Sequence, residues 1–327
     1  MWRSKWAFAV ALFLSTAIGC GGGGNTGNTS TSPAAQAPKK KIGVSVLTMT
    51  NPFFKVIADT IVEESAKHGY EVIVTSGEYD VAKQQNQVKD FLVAKCAAIV
   101  LCPCDARAIE SAILEANTAG VPVFTADLAC LTQKAKVVSH IATDNYSGGK
   151  QAGIAMIEAI GEAGGKVLIL DFNKAESCML RVKGFKEELA KHNADHPNSK
   201  IEVVSELPGD GKVDQGSKCT EDALQAHSDL AGIFAINDPS ALGARAALEK
   251  AGKQDQVKIV GFDGQPDGKQ AILEGKIYAD PVQFPDRIGR MTVDSIARYF
   301  EGESVPPVQL IPTALFLKNG LREPTTP

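Results

Sequence analysis

From Lys41 onward, short apolar runs alternate with amphipathic segments of helical period, and this alternation constrains the fold more than any other feature. The apolar runs, rich in Val and Ile, lie at 42–47, 71–76, 97–102, 121–126, 137–142, 166–171, 201–206, 231–236, 257–262 and 277–282. Helical segments lie at 53–68, 82–95, 105–119, 147–162, 179–193, 214–227, 239–251 and 267–274. Because strands that alternate with helices form parallel sheets covered on both faces, the pattern predicts an α/β fold. Two sheets of about five strands fit this length better than one continuous sheet.

The two halves of the pattern also resemble each other. In each half, a Leu-Glu pair and an Ala-Gly pair precede a strand that ends in an aspartate, Asp127 in the first half and Asp263 in the second. In open parallel sheets, ligands bind outside the carboxyl ends of the strands, so we expect both aspartates at one cleft. The sequence therefore predicts a two-lobed protein that closes around a small molecule.

The N-terminus indicates the compartment. Arg3 and Lys5 precede a short apolar stretch, and small residues then lead to Cys20. This is typical of a secretory signal too short to span a hydrocarbon core of ~30 Å, and Cys20 resembles the lipidated cysteine of bacterial lipoproteins. We predict a lipoprotein signal peptide at 1–20 with lipidation of Cys20; cleavage by ordinary signal peptidase and an uncleaved anchor are the alternatives. The Gly/Ser/Thr/Pro-rich residues 21–39 predict a flexible linker.

Charge and motifs exclude several classes of function. The formal net charge is −4 and there is no long basic run, which argues against nucleic acid as a partner. The sequence contains no GxSxG nucleophile elbow, no HExxH zinc motif and no GxxxxGK[ST] phosphate loop. Asp127 and Asp263 could face each other as an acid/base pair, but nothing activates a nucleophile. We therefore predict a protein that is not an enzyme and needs no cofactor and no metal.

Six cysteines follow Cys20, and an exported chain sits in an oxidising space where they could pair. Cys104 and Cys130 follow two strands that should be neighbours, which makes them the best candidates for a disulfide. A zinc site built on Cys102 and Cys104 is the alternative, but no CxxC pair or partner histidine follows.

Five segments at the ends of predicted strands carry a resemblance to a known family. They are VSVLTMTNPFF (44–54), VVSHIATDN (137–145), AINDPSALGA (235–244), VGFDGQPDG (260–268) and VQFPDRIG (282–289). In this order and spacing, over residues 40–321, the chain resembles the ribose-binding branch of periplasmic sugar-binding proteins. The resemblance implies the periplasmic binding protein type I fold, in which two Rossmann-like lobes with parallel sheets are joined by a three-segment hinge. LacI-type repressors share this core, but they carry an N-terminal helix-turn-helix where this chain has a lipoprotein leader.

The resemblance also implies domain boundaries and partners. The N-terminal lobe would comprise 40–142 plus 283–311, and the C-terminal lobe 143–282 plus 312–321. Members of the family bind a sugar or polyol between the lobes and deliver it to ABC permease subunits. We therefore expect an extracytoplasmic monomer that captures a sugar or sugar-like solute and meets the membrane through its lipid anchor only. The alternative is a periplasmic sugar sensor that presents its closed form to a chemoreceptor or histidine kinase.

Ligand-binding residues follow from the same resemblance. The residues implied are Asn51, Phe53, Phe54, Cys102, Asp127, Asn237, Phe262, Asp263 and Gln283. Aromatic rings stack on the apolar faces of a sugar, and carboxylates accept strong hydrogen bonds from its hydroxyls. Without the family context, the two phenylalanines of the NPFF segment would be interpreted as core, and the aspartates as helix caps.

The chain departs from the family at four positions. Leu128 stands where the family has an arginine, and the family's sugar-binding arginine aligns with Met179, two residues before Arg181. Gly211 stands near the position of a stacking aromatic residue, and Cys102 where the family often has Asn. These changes predict a larger, less polar pocket. The sequence therefore does not favour ribose as the ligand over another pentose, a hexose, a polyol or a modified sugar.

Overall fold

The computed structural model describes residues 39–132 and 134–322. The predicted signal peptide, the predicted lipidation site Cys20 and the predicted linker, apart from Lys39, lie outside these residues. Within the described residues, no helix is both long enough and apolar enough to cross a membrane.

The apolar runs form strands, each of which overlaps a predicted one as far as residue 282. The strands are β1 (Lys41–Val46), β2 (Glu71–Ser76), β3 (Ala98–Leu101), β4 (Val123–Ala126), β5 (Ser139–Thr143), β6 (Gly165–Asp171), β7 (Ile201–Pro208), β8 (Leu230–Ala235), β9 (Lys258–Val260), β10 (Ala279–Val282), β11 (Val308–Ile311), β12 (Ala314–Leu317) and β13 (Gly320–Arg322). The last three were not predicted. β12 and β13 form a hairpin whose two-residue loop is Lys318 and Asn319, and the Asn-Gly pair at 319–320 was the available turn signal.

The amphipathic segments form the helices. They are α1 (Pro52–Lys67), α2 (Val81–Val93), α3 (Glu110–Thr118), α4 (Asn145–Ile160), α5 (Glu176–Asp195), α6 (Val213–Ala226), α7 (Asp238–Lys250), α8 (Pro266–Leu273) and α9 (Pro285–Phe300). Sequence reasoning predicted all of these except α9.

The strands assemble into two sheets. The first has the order β11-β5-β4-β3-β1-β2 and is entirely parallel. The second has the order β13-β12-β10-β9-β8-β6-β7 and is parallel except where β12 pairs with β10 and β13. Helices α1, α2, α3 and α9 contact the first sheet or each other, and α4 to α8 do the same around the second. The predicted two-lobed α/β fold with parallel sheets is thereby confirmed.

Side chains that alternate along a strand cover both faces of each sheet. In β3, Val100 lies in a large apolar cluster with α1, whereas Ile99 and Leu101 lie in a second cluster with α2 and α3. A third cluster covers the second sheet beneath α6, α7 and α8. Because both faces of the strands are largely apolar, the strand ends are the main places where polar side chains can gather.

Three chain segments connect the two sheets. The chain leaves the first sheet after β5, returns to it between β10 and α9, and leaves again between β11 and β12. The residue boundaries at which each lobe would move as a unit, 40–142 plus 283–311 and 143–282 plus 312–321, stay a prediction.

The six cysteines after Cys20 are free thiols in the structure. The predicted Cys104–Cys130 disulfide is therefore wrong. Although β3 and β4 are neighbours, Cys104 lies in the cluster shared with α1, with Sγ 3.9 Å from the carbonyl oxygen of Leu47, whereas Cys130 packs against the cluster of α2 and α3. Within the described residues, no group of three or more His, Cys, Asp or Glu side chains could hold a metal ion.

Helices α4 and α5 pack backbone to backbone. A Cβ on Gly149 would lie 2.2 Å from the carbonyl oxygen of Arg181, and one on Gly184 would lie 2.2 Å from that of Tyr146. The two glycines therefore set the distance between the helices and the position of the Arg181 backbone.

We expect Gly149→Ala to lower the free energy of unfolding by about 1–3 kcal/mol, because the methyl group forces α5 away from α4. Alanine has the higher helix propensity, by about 1 kcal/mol, so a net loss isolates the steric contact. Urea denaturation measures the change. Lys183→Ala on the exposed side of α5 is the control and should stay within about 0.5 kcal/mol of wild type. A more stable Gly149→Ala variant would contradict the close packing.

Candidate ligand-binding site

The carboxyl ends of strands from both sheets meet at one cavity. Its volume is about 40 Å³, which leaves room for a few water molecules while the two lobes meet around it. The wall includes seven of the nine residues that sequence analysis implied, namely Asn51, Phe53, Phe54, Asp127, Asn237, Asp263 and Gln283. Each lies in the segment that follows the carboxyl end of a strand, where ligand sites of parallel sheets form.

The two asparagines also begin helices. The Asn51 side-chain oxygen accepts from the Phe53 N–H at 3.0 Å, and the Asn237 oxygen accepts from the Ser240 N–H at 3.0 Å. Asn237 also donates to the carbonyl oxygen of Gly211 at 3.1 Å. Capping therefore holds both side chains in fixed orientations at the cavity wall.

Phe53 and Phe54 combine a core role with a place at the cavity. Their ring centroids are 5.4 Å apart with an edge-to-face angle of 85°, and both side chains are buried. They belong to the large apolar cluster that also contains Val100, and they line the cavity as well. The rings thus present a rigid apolar surface whose geometry is set by packing.

Arg181 and Asp263 form a buried ion pair across the second lobe. Arg181 Nη1 lies 3.1 Å from Asp263 Oδ1, and both residues are at most 5% exposed. The guanidinium also donates from Nε to Asn145 at 2.7 Å and from Nη1 to the carbonyl oxygen of Ile236 at 2.6 Å. It stacks on the ring of Phe262, with 3.9 Å between Cζ and the ring centroid.

Sequence reasoning placed the family's arginine at Met179 and missed Arg181. In α5, Cys178 and Arg181 lie almost one turn apart and both line the cavity, whereas Met179 lines a separate surface groove. Helical periodicity from Cys178 was the signal that could have found Arg181.

Asp263 obtains its partners from the protein itself. Besides Arg181, it accepts from Gln283 Nε2 at 2.5 Å and from Gln265 Nε2 at 3.2 Å. Burial raises the pKa of its carboxyl, and Arg181 and the two glutamines counteract that rise.

Asp127 occupies the equivalent strand end of the first lobe without such partners. It is 3% exposed, and its Oδ1 makes no hydrogen bond within the described residues. Burial raises its pKa to about 7; Arg181 lowers the pKa, and Asp263 raises it further. Both aspartates have left-handed backbone, with φ of 62° at Asp127 and 96° at Asp263. Such strain persists where packing over-determines it, commonly at ligand sites.

Comparison with known proteins identifies the family. The sequence matches the periplasmic binding protein domain over residues 42–304. The chain belongs to this family. The ribose import binding protein RbsB of Escherichia coli (strain K12) is 36% identical over 267 residues, 82% of this chain and 87% of that protein. The D-apiose import binding protein of Paraburkholderia graminis is 33% identical over 270 residues, 82% and 84% of the two chains.

A solved structure extends the similarity to the fold. An ABC transporter solute-binding protein from Mycobacterium smegmatis, with bound glycerol, matches at a TM-score of 0.79 and 29% identity, over 86% of this chain and 95% of that one. The family resemblance that sequence analysis found is confirmed. These relatives are binding proteins, which also confirms the expectation that the protein is not an enzyme.

Two of the residues that the family resemblance implied, Cys102 and Phe262, lie behind the cavity wall. Cys102 is fully buried in the apolar cluster, and its carbonyl oxygen accepts from Gln84 at 3.0 Å; burial raises the pKa of its thiol well above the ordinary value. Phe262 supports Arg181 by stacking and does not line the cavity. In both cases the backbone after the strand directs the side chain into the core, which spacing along the sequence does not reveal.

Aromatic side chains line the cavity near Gly211, but they come from other elements. A Cβ on Gly211 would lie 3.0 Å from Asn237 Nδ2, at a φ of 66°, so this position favours glycine. Tyr79 and Phe172 line the cavity there and pack edge to face, with centroids 6.4 Å apart. Aromatic side chains therefore form part of this wall, and the larger, less polar pocket stays a prediction.

We expect the unpaired carboxyl of Asp127 to make stability depend on pH. The unfolded chain loses this proton near pH 3.8, whereas the folded chain keeps it until about pH 7, so the free energy of unfolding falls as pH rises between these values. Asp127→Asn should then be more stable than wild type at pH 8, by about 1–4 kcal/mol, and equal to it near pH 4. Urea denaturation across this range measures the difference.

The control for this comparison is Asp80→Asn. Asp80 is an exposed cap of α2, and asparagine caps equally well, so its difference from wild type should be small and vary little with pH. If the difference between Asp127→Asn and wild type does not vary with pH, ionising the buried Asp127 carboxyl does not lower the free energy of unfolding.

Arg181→Met should lower the free energy of unfolding by about 3–5 kcal/mol, because Asp263 would remain buried without its counter-charge. The double variant Arg181→Met/Asp263→Asn should recover part of that loss, since the second change removes the uncompensated charge. Arg298→Met is the control. It breaks an exposed ion pair with Glu303 and should lower the free energy of unfolding by about 1 kcal/mol or less. A double variant no more stable than Arg181→Met would contradict the charge argument.

Proposed function

We propose that this chain captures a sugar or sugar-like solute in the periplasm and delivers it to an ABC permease. It would be held at the membrane by lipidation of Cys20. The observation that carries the proposal is the convergence of carboxylates, amides, one guanidinium and aromatic rings on one cavity between parallel strand ends. Polyhydroxylated rings need this combination of an apolar surface and closely spaced acceptors and donors.

The proposed contacts use both lobes. Phe53 and Phe54 would hold a ring face from the first lobe, and Arg181 joins the implied residues on the second. Gln283 supports this assignment, because its Nε2 is bound to Asp263 while its buried Oε1 has no hydrogen-bond partner within the described residues. A ligand hydroxyl would satisfy that oxygen.

Contacts across the lobes support a closing motion. The Ala106 N–H donates to the carbonyl oxygen of Lys174 at 3.1 Å, and Tyr79 packs on Phe172. A ligand that binds residues of both lobes stabilises the arrangement in which they meet, and three connecting segments allow the lobes to separate. A permease could then distinguish the loaded form by its shape.

The relatives support the ligand class and the transport role. Those named above are import binding proteins for ribose and D-apiose, and the solved ABC transporter protein holds glycerol. All three compounds carry adjacent hydroxyls, which the cavity's amides and carboxylates suit.

A thermal-shift screen of pentoses, hexoses and polyols, followed by calorimetric titration of each hit, tests the proposal. A ligand that binds the folded state should raise the unfolding midpoint. Gln283→Ala should weaken binding of that ligand by about 1–3 kcal/mol, because a ligand hydroxyl and Asp263 both lose a partner.

Gln265→Ala is the matched control, because Gln265 also donates to Asp263 but does not line the cavity. Its effect on affinity should be clearly smaller than that of Gln283→Ala. Equal effects would place the ligand elsewhere, and a screen without any hit would overturn the proposed function.

A further inference from the structure

The charges that line the cavity do not balance. Among the described wall residues, three carboxyl groups belong to Asp127, Asp210 and Asp263, whereas Arg181 supplies the single guanidinium and no lysine lines the wall. The ammonium group of Lys212 lies outside the wall, 4.6 Å from the ring centroid of Tyr79. The cavity therefore carries an excess of negative charge.

Arg181 makes its hydrogen bonds on one side of this cavity, to residues of the second lobe. Its Nε and Nη1 bind Asn145, the carbonyl oxygen of Ile236 and Asp263. Asp263 also receives two glutamine N–H groups, so its negative charge is compensated within the protein.

Asp127 has no equivalent compensation. It is 3% exposed, its Oδ1 is unpartnered within the described residues, and the next wall residue is the apolar Leu128. A buried carboxylate without a counter-charge is unfavourable, and only a proton or a cation removes the charge. A neutral hydroxyl can donate a hydrogen bond, but it brings no charge.

We infer that the cavity recognises a cationic polyhydroxylated ligand, an amino sugar or amino polyol, whose ammonium group pairs with Asp127. This inference rests on the proposed function and specifies its ligand class. The half-buried Asp210 adds a second negative charge on the wall. The rings of Phe53 and Phe54 suit the carbon skeleton of such a ligand and tolerate a nearby cation.

Calorimetric titration with matched pairs of compounds tests the inference. The pairs are glucosamine with glucose, galactosamine with galactose, mannosamine with mannose, and 1-amino-1-deoxyribitol with ribitol, at pH 7. In at least one pair the ammonium compound should bind the wild-type protein at least about tenfold more tightly, as expected for a charge-assisted bond in a closed site.

Two variants assign that selectivity to Asp127. Asp127→Asn keeps the shape and tolerates the left-handed backbone, because asparagine adopts positive φ readily. It should reduce the preference for the ammonium compound to about parity. Leu128→Arg supplies the missing counter-charge beside Asp127 and should shift the preference towards the neutral compound.

Asp222→Asn is the control, because it makes the same change in net charge at an exposed position of α6, away from the cavity. It should leave the preference unchanged. If the neutral member of each pair binds wild type as tightly or more tightly, the inference is overturned while sugar binding stands. If no compound of either kind binds, the inference and the proposed function fail together.

Discussion

The buried Arg181–Asp263 pair is the interaction on which the architecture of the cavity depends. It joins α5 to the loop after β9, and through Gln283 it reaches the segment that leads from β10 back to the first lobe. The arginine can occupy this position because Gly149 lets α4 approach its backbone, while Phe262 supports its guanidinium. A buried ion pair is no strong source of stability, since desolvation offsets much of the attraction. Its effect here is to hold a carboxylate in one orientation at the cavity wall.

The two strand-end aspartates have identical side chains, but their surroundings compensate their charges differently. Both lie at positive φ, are nearly inaccessible to solvent and line the same cavity. Asp263 receives three donor groups from neighbouring side chains, whereas Asp127 has Leu128 as its neighbour in the chain and keeps an unpartnered oxygen. The protein thus compensates one charge and leaves the other, and this difference is the basis of the ligand class that we propose.

Much of the fold and of the site could be predicted from the sequence. Strand-length apolar runs and helical periodicity define local structure, so the α/β fold and all helices but α9 were expected. Seven of the nine implied site residues line the cavity, because parallel strands bring their carboxyl ends together whatever the intervening sequence. Arg181, Tyr79 and Phe172 were missed, since they reach the wall from a helix and from loops whose direction depends on packing. Cys102 and Phe262 were placed at the wall because spacing along the chain does not show which way a side chain points.

The sequence by itself therefore determined the alternation of elements, the family and the strand-end positions of Asp127 and Asp263. These follow from periodicity and from residue types at fixed spacing. Only the tertiary structure decided that Arg181 neutralises Asp263 and leaves Asp127 unpaired, and that Cys104 and Cys130 pack against different apolar clusters. The reason is that charge compensation and thiol pairing depend on distances between residues far apart in the chain, and those distances exist only once the helices have packed on the sheets.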